Sequence, residues 1–270
     1  MLVCIAGLIA WCCSIVNAGN ASDPFPGFRA SAYLVKVDDV TLWQRNLDRR
    51  LPPASLTKIM TALIAIRRTR LEDIAVVSPG AAEETGTRLG LRQGERIRSG
   101  FLVAATLLQS ANDACHALAD HIAGSEASFV NLMNREARTL GMTGTRFANA
   151  CGHDDSNHYS TARDLAKLAE VALRDPVFSE LVSTISLDIS TIGGARVFHL
   201  ENKNELLGRY PGTVGVKTGF TPHAGKCVIA LVKRDARQVL FVALNATDRW
   251  WGSVEVLDAA FAYASGRTGL

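Results

Sequence analysis

Pro52-Pro53-Ala54-Ser55-Leu56-Thr57-Lys58-Ile59-Met60-Thr61-Ala62-Leu63-Ile64 is the stretch around which the rest of the chain can be arranged. Two prolines end whatever precedes them. A run of good helix formers follows, free of Gly and Pro until Ser78-Pro79-Gly80. On a helix, Ser55 and Lys58 share one face. A serine hydroxyl is a poor nucleophile until a base lies within hydrogen-bond reach. A lysine amine becomes that base only where burial or nearby positive charge disfavours its charged form. The positive end of a helix dipole adds to such a field. The plain alternative is an N-capping serine next to a solvated lysine.

Two further elements lie downstream, Ser110-Ala111-Asn112 and then Lys217-Thr218-Gly219. Alone, the first is helix-capping chemistry and the second a strand end. Their value is joint, because Ser-x-x-Lys, Ser-x-Asn and Lys-Thr-Gly in this order form a recognised catalytic set.

Ahead of the Ser55 stretch, 32–37 and 40–45 read as two strands joined by Asp38-Asp39, an antiparallel hairpin. Residues 74–98 are irregular, with Gly at 80, 86, 90 and 94 and short apolar pieces able to pair. Helices are predicted over 101–109, 112–123, 129–140 and 161–174, the last with Pro176 just beyond it. Residues 147–160 read as a polar surface loop, and 197–200 as a short strand. The last third predicts strands over 213–218, 226–232 and 239–244, and a closing helix over 252–264. The expected fold class is α+β: early and late strands in one antiparallel sheet, helices on its faces, an all-helical subdomain to one side, and the site in the cleft between.

The 270 residues are 48% hydrophobic, enough for a sizeable core. A net charge of +3 without a Lys/Arg run gives no support for a nucleic-acid partner. Residues 2–16 are almost all apolar, and Val16-Asn17-Ala18 resembles a small-residue cleavage site. The expected organisation is a signal peptide over 1–18, a linker over 19–29 and a catalytic domain over 30–265. A periplasmic or secreted location follows, with membrane attachment only if the N-terminal segment is retained. Cys115, Cys151 and Cys227 would remain, an odd set that implies no disulfide framework. His116, His121, His153 and His158 show no metal-binding spacing with each other or with these cysteines, so no metal and no cofactor are expected. Trp250 and Trp251 are expected in the core or the cleft wall.

The chain resembles the low-molecular-mass penicillin-binding proteins, serine-type D-alanyl-D-alanine carboxypeptidases. The resemblance rests on Pro53–Ala62, Ser110-Ala111-Asn112-Asp113-Ala114, His158-Tyr159-Ser160-Thr161-Ala162-Arg163-Asp164, and Gly215–Thr221 with Ala224-Gly225-Lys226-Cys227. It implies a β-lactamase/transpeptidase-like fold and an acyl-enzyme formed when Ser55 attacks the carbonyl between two D-alanines of a peptidoglycan stem peptide. Lys58 would take the Ser55 proton, and Ser110 would relay a proton to the leaving amine. Asn112 would orient Lys58 or hold the substrate amide. Lys217, Thr218 and Gly219 would line the cleft, with N–H groups of Ser55 and Phe220 as oxyanion hole. Arg249 would help hold the terminal carboxylate. β-Lactam antibiotics would be covalent inhibitors.

Two departures stand out. The chain stops at Leu270, so the β-rich domain and membrane-binding tail of many members are not expected. Cys151-Gly152-His153 stands where members usually have Gly-Leu preceded by another residue. The alternatives are a DD-endopeptidase, a β-lactamase or a penicillin sensor. A class A β-lactamase needs a deacylating Glu, and the loop here carries Asp154 and Asp155 instead. A sensor needs a firm membrane span.

Overall fold

The computed structural model describes residue 25 and residues 27–266. The expected signal segment and most of the expected linker lie outside them. At the linker's end Phe25 and Phe28 are buried, a correction to the reading of 19–29 as a linker throughout. Phe25 packs edge-on against Trp43 and Phe28 against Phe241. Apolar contact outweighs the Gly/Pro-bearing composition that reads as a linker.

β1 (Ala30–Val37) and β2 (Val40–Arg45) form the expected hairpin. A 3-10 turn over Ala54–Thr57 leads into α1 (Lys58–Arg68), whose residues from Lys58 to Ala65 are all buried. Then come β3 (Ile74–Val76), α2 (Pro79–Ala82), β4 (Arg96–Arg98), α3 (Ser99–Leu107), α4 (Asn112–Ala123) and α5 (Glu126–Thr139). The helical block they build also carries the antiparallel ladder of β3 and β4. α6 (Ala162–Ala172) starts on a Thr161 side chain that accepts the Asp164 N–H. α7 (Pro176–Ser183) follows with Asp175 as its cap, so Pro176 opens a helix as well as closing one. β5 (Ser186–Ser190) and β6 (Val197–Glu201) pair with each other. β7 (Thr213–Thr221), β8 (Gly225–Arg234), β9 (Arg237–Ala246) and α8 (Trp251–Ala264) complete the chain.

The main sheet runs β2-β1-β9-β8-β7, antiparallel throughout. Its central strands read as nearly continuous apolar runs because both faces are covered. Ala32, Leu34, Ile229, Leu231, Leu240 and Val242 face the core shared with α1 and α6. Tyr33, Val35, Val228, Ala230, Phe241 and Ala243 face Val256, Leu257 and Ala260 of α8. This period of two puts each strand's neighbours on opposite faces. β7 forms one edge of the sheet, and Gly219 on it packs against the turn that carries Ser55.

Candidate active site

Ser55 does not sit on an α-helix. It lies in the 3-10 turn, and α1 begins at Lys58. The Ser55–Lys58 spacing still places both groups together, because i and i+3 side chains also align in a 3-10 helix. Ala54 before it adopts φ 49°, and Ser110 adopts φ 62°. Left-handed backbone at a residue with a side chain costs roughly 1–2 kcal/mol, so the surrounding packing holds Ala54 and Ser110 against local strain.

Lys58 is fully buried, and its Nζ has three partners. It lies 3.2 Å from Ser55 Oγ, 2.7 Å from Asn112 Oδ1 and 2.6 Å from the Cys151 carbonyl. Two of these are acceptors with no proton to give. A neutral amine has two N–H donors and one lone pair. Donating to Asn112 and Cys151 aims that lone pair at the Ser55 hydroxyl. Asn112 is itself fixed, since its Nδ2 donates to the Thr85 carbonyl at 2.6 Å and its backbone N–H to the Thr87 carbonyl at 2.7 Å.

Several supporting residues were not singled out by sequence reasoning. Asp113 accepts the backbone N–H groups of Leu89, Gly90 and Leu91 and so fastens the loop that carries Thr85 and Thr87. The Ala150 carbonyl takes the Thr61 hydroxyl at 2.6 Å, and Asn149 Oδ1 takes the Gly152 N–H at 2.7 Å. These bonds hold the Cys151 carbonyl in place. A Cβ at Gly152 would meet Ala54 O at 2.0 Å, so this loop rests directly on the Ser55 turn. His158 is buried; its Nδ1 accepts the Ala148 N–H at 3.1 Å and its Nε2 faces Thr57 Oγ1 at 2.8 Å. That fixes the Nε2–H tautomer. Burial pushes this imidazole down to about 4. The signal for Asp113 and His158 lay in the quoted motifs; the Cys151 carbonyl left none, because a carbonyl has no residue type.

A cleft of about 210 Å³ is lined by Ser55, Ser110, Asn112, the 151–153 loop and the 220–222 segment. Ser110 borders this cleft directly. Lys217 lies opposite Ile229, whose side chain faces the core shared with α1 and α6, and is buried. Burial, then the Lys58 and Arg249 charges, push its ammonium well below the usual lysine range. Arg249 donates to the Gly219 carbonyl at 2.8 Å, and its Nε is buried with no partner among the described residues. Thr218 is buried, whereas Phe220 exposes its ring at the cleft mouth. Thr221 Oγ1 donates to Asp154 Oδ1 at 2.6 Å, tying the end of β7 to the loop beyond Cys151. The sequence-predicted residues therefore converge, with three basic groups, Lys58, Lys217 and Arg249, near one another. Trp251 is 79% exposed, a correction to its expected place in core or cleft wall; Trp250 packs under Arg249.

Comparison with known proteins agrees with this geometry. D-alanyl-D-alanine carboxypeptidase DacF of Bacillus subtilis is 35% identical over 240 residues, covering 86% of this chain and 61% of that protein. A D-alanyl-D-alanine endopeptidase of Pseudomonas aeruginosa is 30% identical over 215 residues, covering 77% of this chain and 68% of that protein. The crystal structure of the Streptomyces K15 DD-transpeptidase superposes with a TM-score of 0.81 at 28% identity, covering 86% of this chain and 97% of that one. The chain thus spans about three fifths of the length of the Bacillus relative. The family model described as D-alanyl-D-alanine carboxypeptidase matches residues 24–248, and the chain belongs to that family.

Proposed function

We propose that the protein is a serine-type D-Ala-D-Ala carboxypeptidase acting on peptidoglycan stem peptides. The observation that carries this reading is the triple coordination of Lys58 by Ser55, Asn112 and the Cys151 carbonyl. Lys58 takes the Ser55 proton as Oγ attacks the carbonyl carbon of the penultimate D-alanine. The resulting oxyanion is met by the N–H groups of Ser55 and Phe220. The C–N bond then breaks, and the leaving D-alanine amine receives a proton through Ser110. Water releases the acyl group and regenerates Ser55. Lys217 and Arg249 draw in the terminal carboxylate, and the edge of β7 offers backbone groups to an extended peptide. β-Lactams enter the same cleft and acylate the same oxygen.

The second reading is a DD-endopeptidase, favoured by the likeness to the Pseudomonas endopeptidase. Digestion of purified muropeptides, with products weighed by mass spectrometry, separates the two: loss of one D-alanine from pentapeptides against splitting of cross-linked dimers. The nucleophile is tested by fluorescent penicillin, which is expected to tag the wild type and not Ser55→Ala. Equal labelling of the mutant would sink the assignment. The location we propose is outside the cytoplasm, supported by the uncharged apolar run of 2–16 and by the substrate; no helix among the described residues is long and apolar enough to cross a membrane.

A further inference from the structure

Glu84, Cys151 and His153 bring three ligand atoms within 4.8 Å of one another. Cys151 and His153 border the cleft itself. We propose that these three residues bind a divalent cation of the zinc class, and that the bound ion slows acylation of Ser55 by displacing the loop that holds Lys58.

The donor set is one cysteine sulfur, one imidazole and one carboxylate, which suits borderline-soft cations and not magnesium or calcium. Three protein ligands leave a fourth position for water or an added ligand. The residues come from two segments remote in sequence, which is why no spacing pattern reveals them. A tetrahedral ion with bonds of about 2.0–2.3 Å spaces its ligands roughly 3.3–3.8 Å apart, so the triangle closes with a shift of about 1 Å. His153 is only partly buried at the start of an exposed loop, so that shift falls on its side chain, its backbone being held by Asn149. In the metal-free geometry His153 Nε2 lies 2.9 Å from Glu84 Oε2. Binding through Nε2 therefore moves the single imidazole proton to Nδ1 and releases the Cys151 thiol proton to solvent.

The outer partners are also in place. The second Glu84 oxygen accepts from His116 Nδ1 at 2.8 Å, and His116 Nε2 lies 3.5 Å from Asp120. Such carboxylate–imidazole chains orient metal ligands. The coupling to catalysis is direct. The Cys151 carbonyl is the 2.6 Å acceptor of Lys58, and its sulfur now faces the Asn112 carbonyl at 3.5 Å. Drawing the sulfur toward an ion moves both.

Chelator-treated protein titrated with cobalt(II) tests the site. The expected result is a thiolate-to-cobalt charge-transfer band with intense tetrahedral d–d absorption, both abolished by added zinc. His153→Ala is expected to weaken zinc binding by more than the roughly 10–100-fold that an outer-shell change costs. Its fold is checked by thermal unfolding, and Glu84→Gln serves as a second variant should the first not fold. Saturating zinc is expected to slow penicillin acylation of the wild type roughly 10- to 100-fold, the scale of a base misplaced by up to about 1 Å. A cobalt complex lacking the thiolate band, or zinc affinity unchanged in both variants, overturns the site. Zinc bound with acylation unaltered overturns the coupling. The acylation arm rests on Ser55 as nucleophile and the cobalt spectrum does not, so the two readings fail separately.

Discussion

At the scale of single residues, the site is governed by hydrogen-bond arithmetic. Lys58 is fully buried, and its nitrogen meets three named oxygens. A substitution that keeps the charge but not this geometry cannot serve, since a guanidinium stays protonated. The same arithmetic makes His158 an acid-sensitive support for the Ser55 turn. Its Nδ1 already accepts a backbone N–H, so a second ring proton there would face a donor. Its folded value of about 4 lies below the unfolded value of about 6.5. The unfolded state therefore binds more protons between those values. The stability contributed is complete above about pH 6.5 and lost as pH falls toward about 4, a span worth about 3 kcal/mol. Urea unfolding across this range is expected to show the loss, and His158→Gln to flatten it while lowering stability at neutral pH. An unchanged acid slope in the mutant would assign the effect to other groups.

At the scale of elements, the site depends on backbone surfaces that meet without side chains between them. Gly219 on β7 approaches the Ser55 turn so closely that a Cβ would lie 2.9 Å from Ser55 N and 3.2 Å from Pro53 O. Neither is the flexible end of a side chain, so the strand or the turn must shift. Gly219→Ala is expected to cost about 1–3 kcal/mol of stability by overpacking, and to slow acylation roughly 10- to 100-fold by moving the nucleophile relative to the oxyanion donors. Stopped-flow acylation with a chromogenic penicillin measures this, and a wild-type rate would show that the turn absorbs the methyl harmlessly. Much of this level was legible in advance. α4 has the boundaries that its composition predicts, and the β1–β2 hairpin follows its Asp38-Asp39 turn. β5 and α2 escaped because each is short and its pattern local, and α7 because Pro176 was read only as a stop.

At the scale of the whole molecule, the cleft concentrates positive charge where sheet and helical block meet. Lys58 belongs to α1, Lys217 to an edge strand, and Arg249 to the segment before α8. Burial and the other two cations make the Lys217 ammonium lose its proton at lower pH than an ordinary lysine. A bound carboxylate restores that charge, so affinity for a peptide ending in D-Ala-D-Ala is expected to weaken as pH rises, beginning below the usual lysine range of about 10.4. KM measured against pH tests this. Lys217→Arg, which cannot lose its proton, is expected to hold KM flat over the same range even if kcat falls. A KM that rises equally in both would remove Lys217 from carboxylate binding.

The sequence by itself determined the residue types of the site and their order along the chain. Ser55 and Lys58 are near neighbours, so local helical geometry suffices to pair them. It also determined the two-faced strands, because alternation at a period of two follows from backbone geometry alone. Tertiary structure alone decided which oxygens hold Lys58. One belongs to Asn112 on another helix and one to the backbone of Cys151, whose position depends on Thr61, Asn149 and Gly152. It decided that Ser55 lies in a 3-10 turn, since packing of Gly152 and Gly219 against that turn overrides helix propensity. It also decided that Glu84 meets Cys151 and His153, because contact between remote segments is set by how the core closes and leaves no periodicity to read.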